Sequence, residues 1–203
     1  MNLLTDKLPD TVVIAGETVK IATSHRRHMQ FELNFDAQED DEVILMAQLM
    51  NMYSYRDEEG VLQLPEVVIN NQVEAYKRAI EFHAYGLIDF DNEEDATGVA
   101  SSDAPQKLHD WLVDDTVIVA DFMREYHIDL TNPNTKMHWY TFKALFDGLS
   151  QSAFISKLAY YRGKPPKGMR GDELSHWKQT HEKLRIPLAD AEAEAKRQWD
   201  LLG

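Results

Sequence analysis

Tyr126-His127-Ile128-Asp129-Leu130-Thr131, then His138-Trp139-Tyr140-Thr141-Phe142-Lys143-Ala144-Leu145, carry the reading of this chain. Trp139, Phe142, Phe146 and Leu149 recur at intervals of three and four, the period of one helix face, and Gly148 supplies a stop. Asn132-Pro133-Asn134 breaks the chain ahead of that helix, and Thr135 is expected to cap it. Upstream, Leu108, Trp111, Leu112, Val119, Phe122 and Tyr126 describe a second apolar face, in a helix entered at Pro105. Downstream, Phe154, Ile155, Leu158 and Tyr161 give a third. Leu174, Trp177, His181 and Leu184 give a fourth, ended near Pro187. Between these two, residues 163 to 171 hold three glycines and paired prolines, which oppose helix and sheet alike.

The N-terminal half adds one piece of sheet. Thr11 to Ile21 is rich in β-branched residues on either side of Gly16, the pattern of a short hairpin spanning about residues 8 to 22. Ala15-Gly16 leaves its turn type open. Met29, Phe31, Leu33 and Phe35 alternate as a strand would. After the acidic run Glu39-Asp40-Asp41-Glu42, suited to a helix N-terminus, Val43, Met46, Ala47, Met50 and Tyr53 are expected to form a buried stripe. Asp57-Glu58-Glu59-Gly60 ends that helix. Ile69, Val73, Tyr76, Ile80, His83 and Leu87 predict one continuous helix seam. Residues 89 to 103, acidic and holding Gly98, Ser101 and Ser102, predict a solvated loop with the least order in the chain.

The pattern as a whole predicts a mainly α protein, a helical bundle with a small N-terminal β-hairpin. Residues 1 to 187 are expected to form one helical domain. Residues 188 to 203 follow as a C-terminal accessory helix, with Leu188, Ala191, Ala195, Trp199 and Leu202 on one stripe. Partner-binding anchors are expected at Trp177, Leu188, Trp199 and Leu202, because large aromatics favour the centres of contact patches.

With 203 residues and 43% hydrophobic side chains, the chain can bury a substantial core. It has no cysteine, which excludes disulfides and thiolate metal sites. The N-terminus lacks a signal-peptide pattern and no run is apolar enough for a membrane span, so a soluble, unexported protein is expected. Charge is polarised. Residues 1 to 135 hold 27 acidic and 9 basic side chains, whereas residues 136 to 187 hold 4 and 10. The acidic body disfavours nucleic acid, while the polarity suits a basic partner or head-to-tail self-association between the poles.

The motifs of common catalytic chemistry do not occur. There is no phosphate-binding glycine loop, no nucleophile elbow and no HExxH, and the pairs His25/His28 and His176/His181 lack converging ligands. No catalytic residue, cofactor or metal is therefore expected. Asp114 and Asp115 are adjacent on a helix and point about 100° apart, so one is expected to pair within the protein while the other faces water. His138 reads as a packing and hydrogen-bonding histidine beside Trp139. Lysines interleaved with Tyr160, Tyr161 and Trp177 have the composition of a single-strand nucleic-acid surface, but Tyr161 and Trp177 also fall on apolar stripes, which reads as core beside a solvated basic face.

Asp114, Ile118, Ala120 and Phe122, the Tyr126 and His138 blocks, Gly148-Leu149 and Ala159-Tyr160-Tyr161-Arg162 together form a signature, echoed at Arg26, Phe31 and Glu32. This signature resembles a family of small tailed-bacteriophage proteins encoded next to the tape-measure gene, read as tail assembly proteins or tail chaperones. The resemblance is strongest over residues 114 to 162, and its echo places Met29 to Phe35 in a helix. It implies a non-enzymatic protein in the host cytoplasm that helps the tape-measure protein and tail tube protein assemble, with homo-oligomers also in view. The alternative is a phage or prophage nucleic-acid-associated protein binding through residues 157 to 185.

Overall fold

The computed structural model describes residues 4–33, 41–85, 87 and 107–186. The elements in chain order are β1 (Thr11–Ile14), β2 (Glu17–Lys20), α1 (His25–Leu33), α2 (Asp41–Tyr53), β3 (Tyr55–Arg56), β4 (Leu62–Gln63), α3 (Glu66–Asn70) and α4 (Gln72–His83), then α5 (Asp115–Tyr126), α6 (Trp139–Asp147), α7 (Phe154–Arg162) and α8 (Gly171–Leu184). The protein is mainly α with a small N-terminal hairpin, as the helical spacing requires. The chain divides into two compact units. The first takes Met1–Asp103 with Lys136–Asp147, and the second takes Ala104–Thr135 with Gly148–Gly203. The expected C-terminal helix over 188–203 and the acidic loop over 89–103 lie outside the described residues.

In the first unit β1 and β2 pair antiparallel, from Thr11 opposite Lys20 to Ile14 opposite Glu17. Ala15 and Gly16 join them with φ of 48° and 80°. Two successive left-handed residues match the twist of a two-residue hairpin, and only the second is a glycine. Both Glu74 carboxylate oxygens accept the Ala15 N–H at 3.2 Å, which pins the turn to α4. Met29 to Leu33 is helical, so the alternation of Met29, Phe31 and Leu33 does not signal a strand. The buried positions of α1 are His25, His28 and Phe31, spaced by three.

Two expected stripes fall elsewhere. In α2 the buried face is Gln48, Leu49, Met52 and Tyr53, while Val43, Met46 and Ala47 are exposed. Five successive apolar residues from Val43 to Ala47 leave the face undetermined by spacing. Specific bonds choose it: Gln48 Nε2 donates to the Phe31 carbonyl at 2.8 Å, and the Tyr53 hydroxyl donates to the Ala75 carbonyl at 2.7 Å. The continuous seam from Ile69 to Leu87 is also corrected. Asn71, at φ −132° and ψ 48°, separates α3 from α4. The register shifts there, so Val68, Ala75, Ala79 and Phe82 are buried while Ile69, Val73 and Leu87 are exposed. After α2 the chain forms a second hairpin, β3 with β4, which spacing did not signal.

In the second unit α5 starts at Asp115, and Leu108, Trp111 and Leu112, expected on the same helix, precede it, the last two in a turn, while the expected entry at Pro105 lies outside the described residues. Asp110 is the reason. Its carboxylate accepts the Leu112 and Val113 N–H groups at 2.8 and 2.9 Å, a local turn that competes with helix. Trp111 is buried but Leu112 is exposed. The helix ends at His127, left-handed at φ 57°, with the Ile128 N–H donating back to the Phe122 carbonyl at 3.3 Å. Thr135 caps no helix. Its hydroxyl donates to the Asp129 carbonyl at 2.6 Å.

Candidate functional site

Three buried or half-buried histidines of the first unit each hold a backbone carbonyl. His25 Nδ1 reaches Met137 O at 3.2 Å, His28 Nε2 reaches Ala22 O at 2.8 Å, and His138 Nε2 reaches Pro9 O at 2.8 Å. A carbonyl only accepts, so each of these ring nitrogens carries the proton. For His138 the other nitrogen, Nδ1, accepts the Tyr140 N–H at 3.1 Å and so caps α6 in place of Thr135. Trp139 lies parallel to the rings of His28, His83 and Phe142 at 5.0, 4.9 and 5.6 Å, and its Nε1 donates to the His83 carbonyl at 2.8 Å. His28 Nδ1 and His83 Nδ1 approach to 3.2 Å, and His83 Nε2 lies 3.5 Å from Glu32.

Burial favours the neutral forms of His28 and His25. Burial, first, and then the neighbouring His83 charge push the His28 pKa down to about 3, against the partial support of its bond to Ala22; burial also lowers His25. Below pH 6.5 the unfolded chain takes up a proton that folded His28 refuses. The stability that neutral His28 provides is therefore complete above 6.5 and is lost as pH falls toward about 3, at about 1.4 kcal/mol per pH unit. In NMR titration the His28 ring is expected to stay neutral at pH 5, with His25 acting in the same direction. A ring titrating above pH 6 would show that the site is hydrated rather than closed.

The second unit is organised by a buried ion pair. Arg162, only 4% exposed, donates through Nη1 and Nη2 to the two oxygens of Asp114, itself 2% exposed, at 2.5 and 2.9 Å. Its Nε donates to Leu184 O at the end of α8, and Nη1 also to Leu108 O. One guanidinium thus ties α7 to the start of α5 and the end of α8. Asp115 is exposed, so the adjacent acids divide as expected. Arg162 was legible only as a letter of the signature and a member of the basic segment.

The same unit carries an exposed cluster around Phe154. Ala153 cannot cap α7 with a side chain, and Asp121 of α5 does so instead, accepting the Phe154 and Ile155 N–H groups at 3.1 and 2.8 Å. The same carboxylate pairs with Arg124 at 2.7 Å. Arg124 and Lys157 each stand 5.2 Å from the Phe154 ring centroid, and Phe154 is 56% exposed. An exposed aromatic framed by two cations can receive an acidic, partly apolar surface.

Of the expected partner-binding residues, Trp177 is 5% exposed on α8 and stacks on His181 at 5.0 Å. Leu188, Trp199 and Leu202 lie outside the described residues. Tyr161 is half-buried and Tyr160 exposed, which leaves few stacking rings on the basic face. Among the described residues, no group of three or more histidine or acidic side chains is placed to hold a metal, and no helix is long and apolar enough to cross a membrane.

The family model described as bacteriophage Gp15 protein matches residues 4–186. The chain belongs to this family. Neither the curated proteins nor the solved structures gave a match. The Gp15 match takes in both the signature and the loop over 163–171. In this Gp15 chain the Tyr126 block forms the left-handed end of α5 and the Asp129 turn, and the His138 block forms the cap and core face of α6.

Proposed function

We propose that this phage protein acts without catalysis, in the host cytoplasm, as a tail assembly protein or chaperone that helps the tape-measure protein and the tail tube protein come together. The observation that supports it is the exposed apolar surface set among charges on helices: Val43 and Met46 beside Asp41 and Glu42 on α2, and Phe154 between Arg124 and Lys157. Such patches serve reversible protein contacts. The resemblance of the signature to proteins encoded beside the tape-measure gene selects the partner. Leu188, Trp199 and Leu202 supply further anchors, and Trp177 fixes α8, which that segment follows in the chain.

Capture of the tagged chain from infected cells, read by mass spectrometry, is expected to enrich tape-measure and tail tube proteins. Removing residues 188–203 is expected to weaken that capture without changing the melting temperature. Recovery of neither tail protein would refute the assignment, and so would tight, steeply salt-dependent retention of single-stranded DNA, which would favour the basic segment over 157–185.

A further inference from the structure

We propose that His83 is a proton-operated latch between α4 and α1, a site that takes one proton from solvent and, while holding it, joins His28 to Glu32. The nitrogen roles around it are fixed by their partners. His28 Nε2 donates to Ala22 O at 2.8 Å, so in the neutral ring Nδ1 can only accept. That nitrogen meets His83 Nδ1 at 3.2 Å, which makes His83 the donor there. The two ring planes are 18° apart with centroids at 5.5 Å, and nitrogens approach so closely in that arrangement only when the rings meet edge to edge. His83 Nε2 is left facing Glu32 at 3.5 Å. In a neutral ring this nitrogen would turn its lone pair toward the carboxylate. A second proton converts that repulsion into an ion pair, and with Glu32 ionised the imidazolium is the form of His83 that satisfies both neighbours.

The surroundings suit a cation. His83 is the last residue of α4, where the helix dipole is negative. Trp139 lies parallel to His83 at 4.9 Å and to His28 at 5.0 Å, and imidazoles only 5.5 Å apart must share one face of the indole, which attracts a cation. The side chains of His83 and Glu32 are 17% and 29% exposed, so water can deliver the proton, whereas His28 is fully buried. The other ionisable groups nearby are committed elsewhere. Arg27 of α1 donates to Met50 O and the Ser54 hydroxyl at 2.9 Å, and Arg78 of α4 pairs with Glu81 at 2.8 Å. His138, ahead of α6, has both nitrogens engaged by Pro9 O and the Tyr140 N–H. Burial raises the phenols of Tyr53 on α2 and Tyr76 on α4, so both stay neutral.

Without its second proton His83 keeps one N–H, for His28, and Glu32 is repelled. The end of α1 is therefore held to α4 in acid and released as His83 deprotonates, with no tail partner involved. In long-range proton–nitrogen spectra of the 15N-labelled full chain, both His83 ring nitrogens are expected to be protonated at about pH 5.5, while His28 stays neutral with its proton on Nε2. A nitrogen–nitrogen coupling between the two Nδ1 atoms reads the bond itself. As pH is raised to about 8, hydrogen-exchange protection of the Phe31, Glu32 and Leu33 amides, corrected for the intrinsic rate, should fall about threefold or more. Glu32→Gln keeps the shape of a partly exposed side chain. It should weaken proton binding at His83 by about threefold or more and abolish the pH dependence of that protection. A His83 ring carrying a single proton in acid overturns the proposal. Unchanged His83 titration in Glu32→Gln, or protection at the end of α1 that ignores pH in the wild type, does so equally.

Discussion

Replacing Arg162 by alanine is expected to destabilise the second unit by about 3 to 5 kcal/mol, because it strands the Asp114 carboxylate in a site from which water is excluded. The guanidinium donates twice to Asp114 and once each to Leu108 O and Leu184 O, so the start of α5 and the end of α8 lose an anchor together. A remaining Asp110 N–H donor to Asp114 at 2.9 Å cannot neutralise the charge. Denaturant unfolding followed by far-UV circular dichroism measures the loss. Removing both charges at once, as Arg162→Met with Asp114→Leu, should be less harmful than Arg162→Ala, since most of the cost lies in the unpaired ion. A single variant within about 1 kcal/mol of the wild type would mean that water reaches Asp114, the ordinary fate of a surface pair.

Trp139→Ala is expected to cost a comparable amount in the first unit, about 3 to 5 kcal/mol, from a cavity where a nearly fully buried indole stood. For a chain of this size that corresponds to a melting temperature lower by roughly ten degrees or more. The indole packs against the His28, His83 and Phe142 rings and holds the carbonyl at the end of α4. Trp139→Phe keeps most of the stack and drops the hydrogen bond, so its loss should be markedly smaller. Equal losses in the two variants would assign the effect to the bond to His83 O rather than to packing. An unchanged melting temperature in Trp139→Ala would remove this residue from the core altogether.

The residues themselves determined a good deal. Spacing of three and four located α6 through Trp139 and Phe142, and α8 through Leu174, Trp177 and His181, because in those helices apolar and polar positions alternate and only one face can be buried. The β-branched run around Gly16 located the hairpin, and the 100° step between neighbours separated the roles of Asp114 and Asp115. Periodicity failed where that contrast vanished. Val43 to Ala47 is apolar on every side, so the face of α2 was settled by bonds from Gln48 and Tyr53 to carbonyls on α1 and α4, an outcome of packing alone.

Tertiary structure also decided what no local pattern encodes. Arg162 looks like one more cation of a basic segment, and it is buried because its partner lies 48 residues away. The histidines at 25, 28 and 83 have no ligand spacing in sequence, and His28 and His83 meet Trp139, and His25 meets Phe142, only when α1, α4 and α6 pack together. Asp110 holds residues 110 to 113 in a turn ahead of α5, since a carboxylate taking two N–H groups outweighs a propensity of a few tenths of a kcal/mol. Local spacing reports which face of an element prefers oil to water; the partner of a buried charge, ring or amide is chosen by whatever the folded chain brings within hydrogen-bond reach.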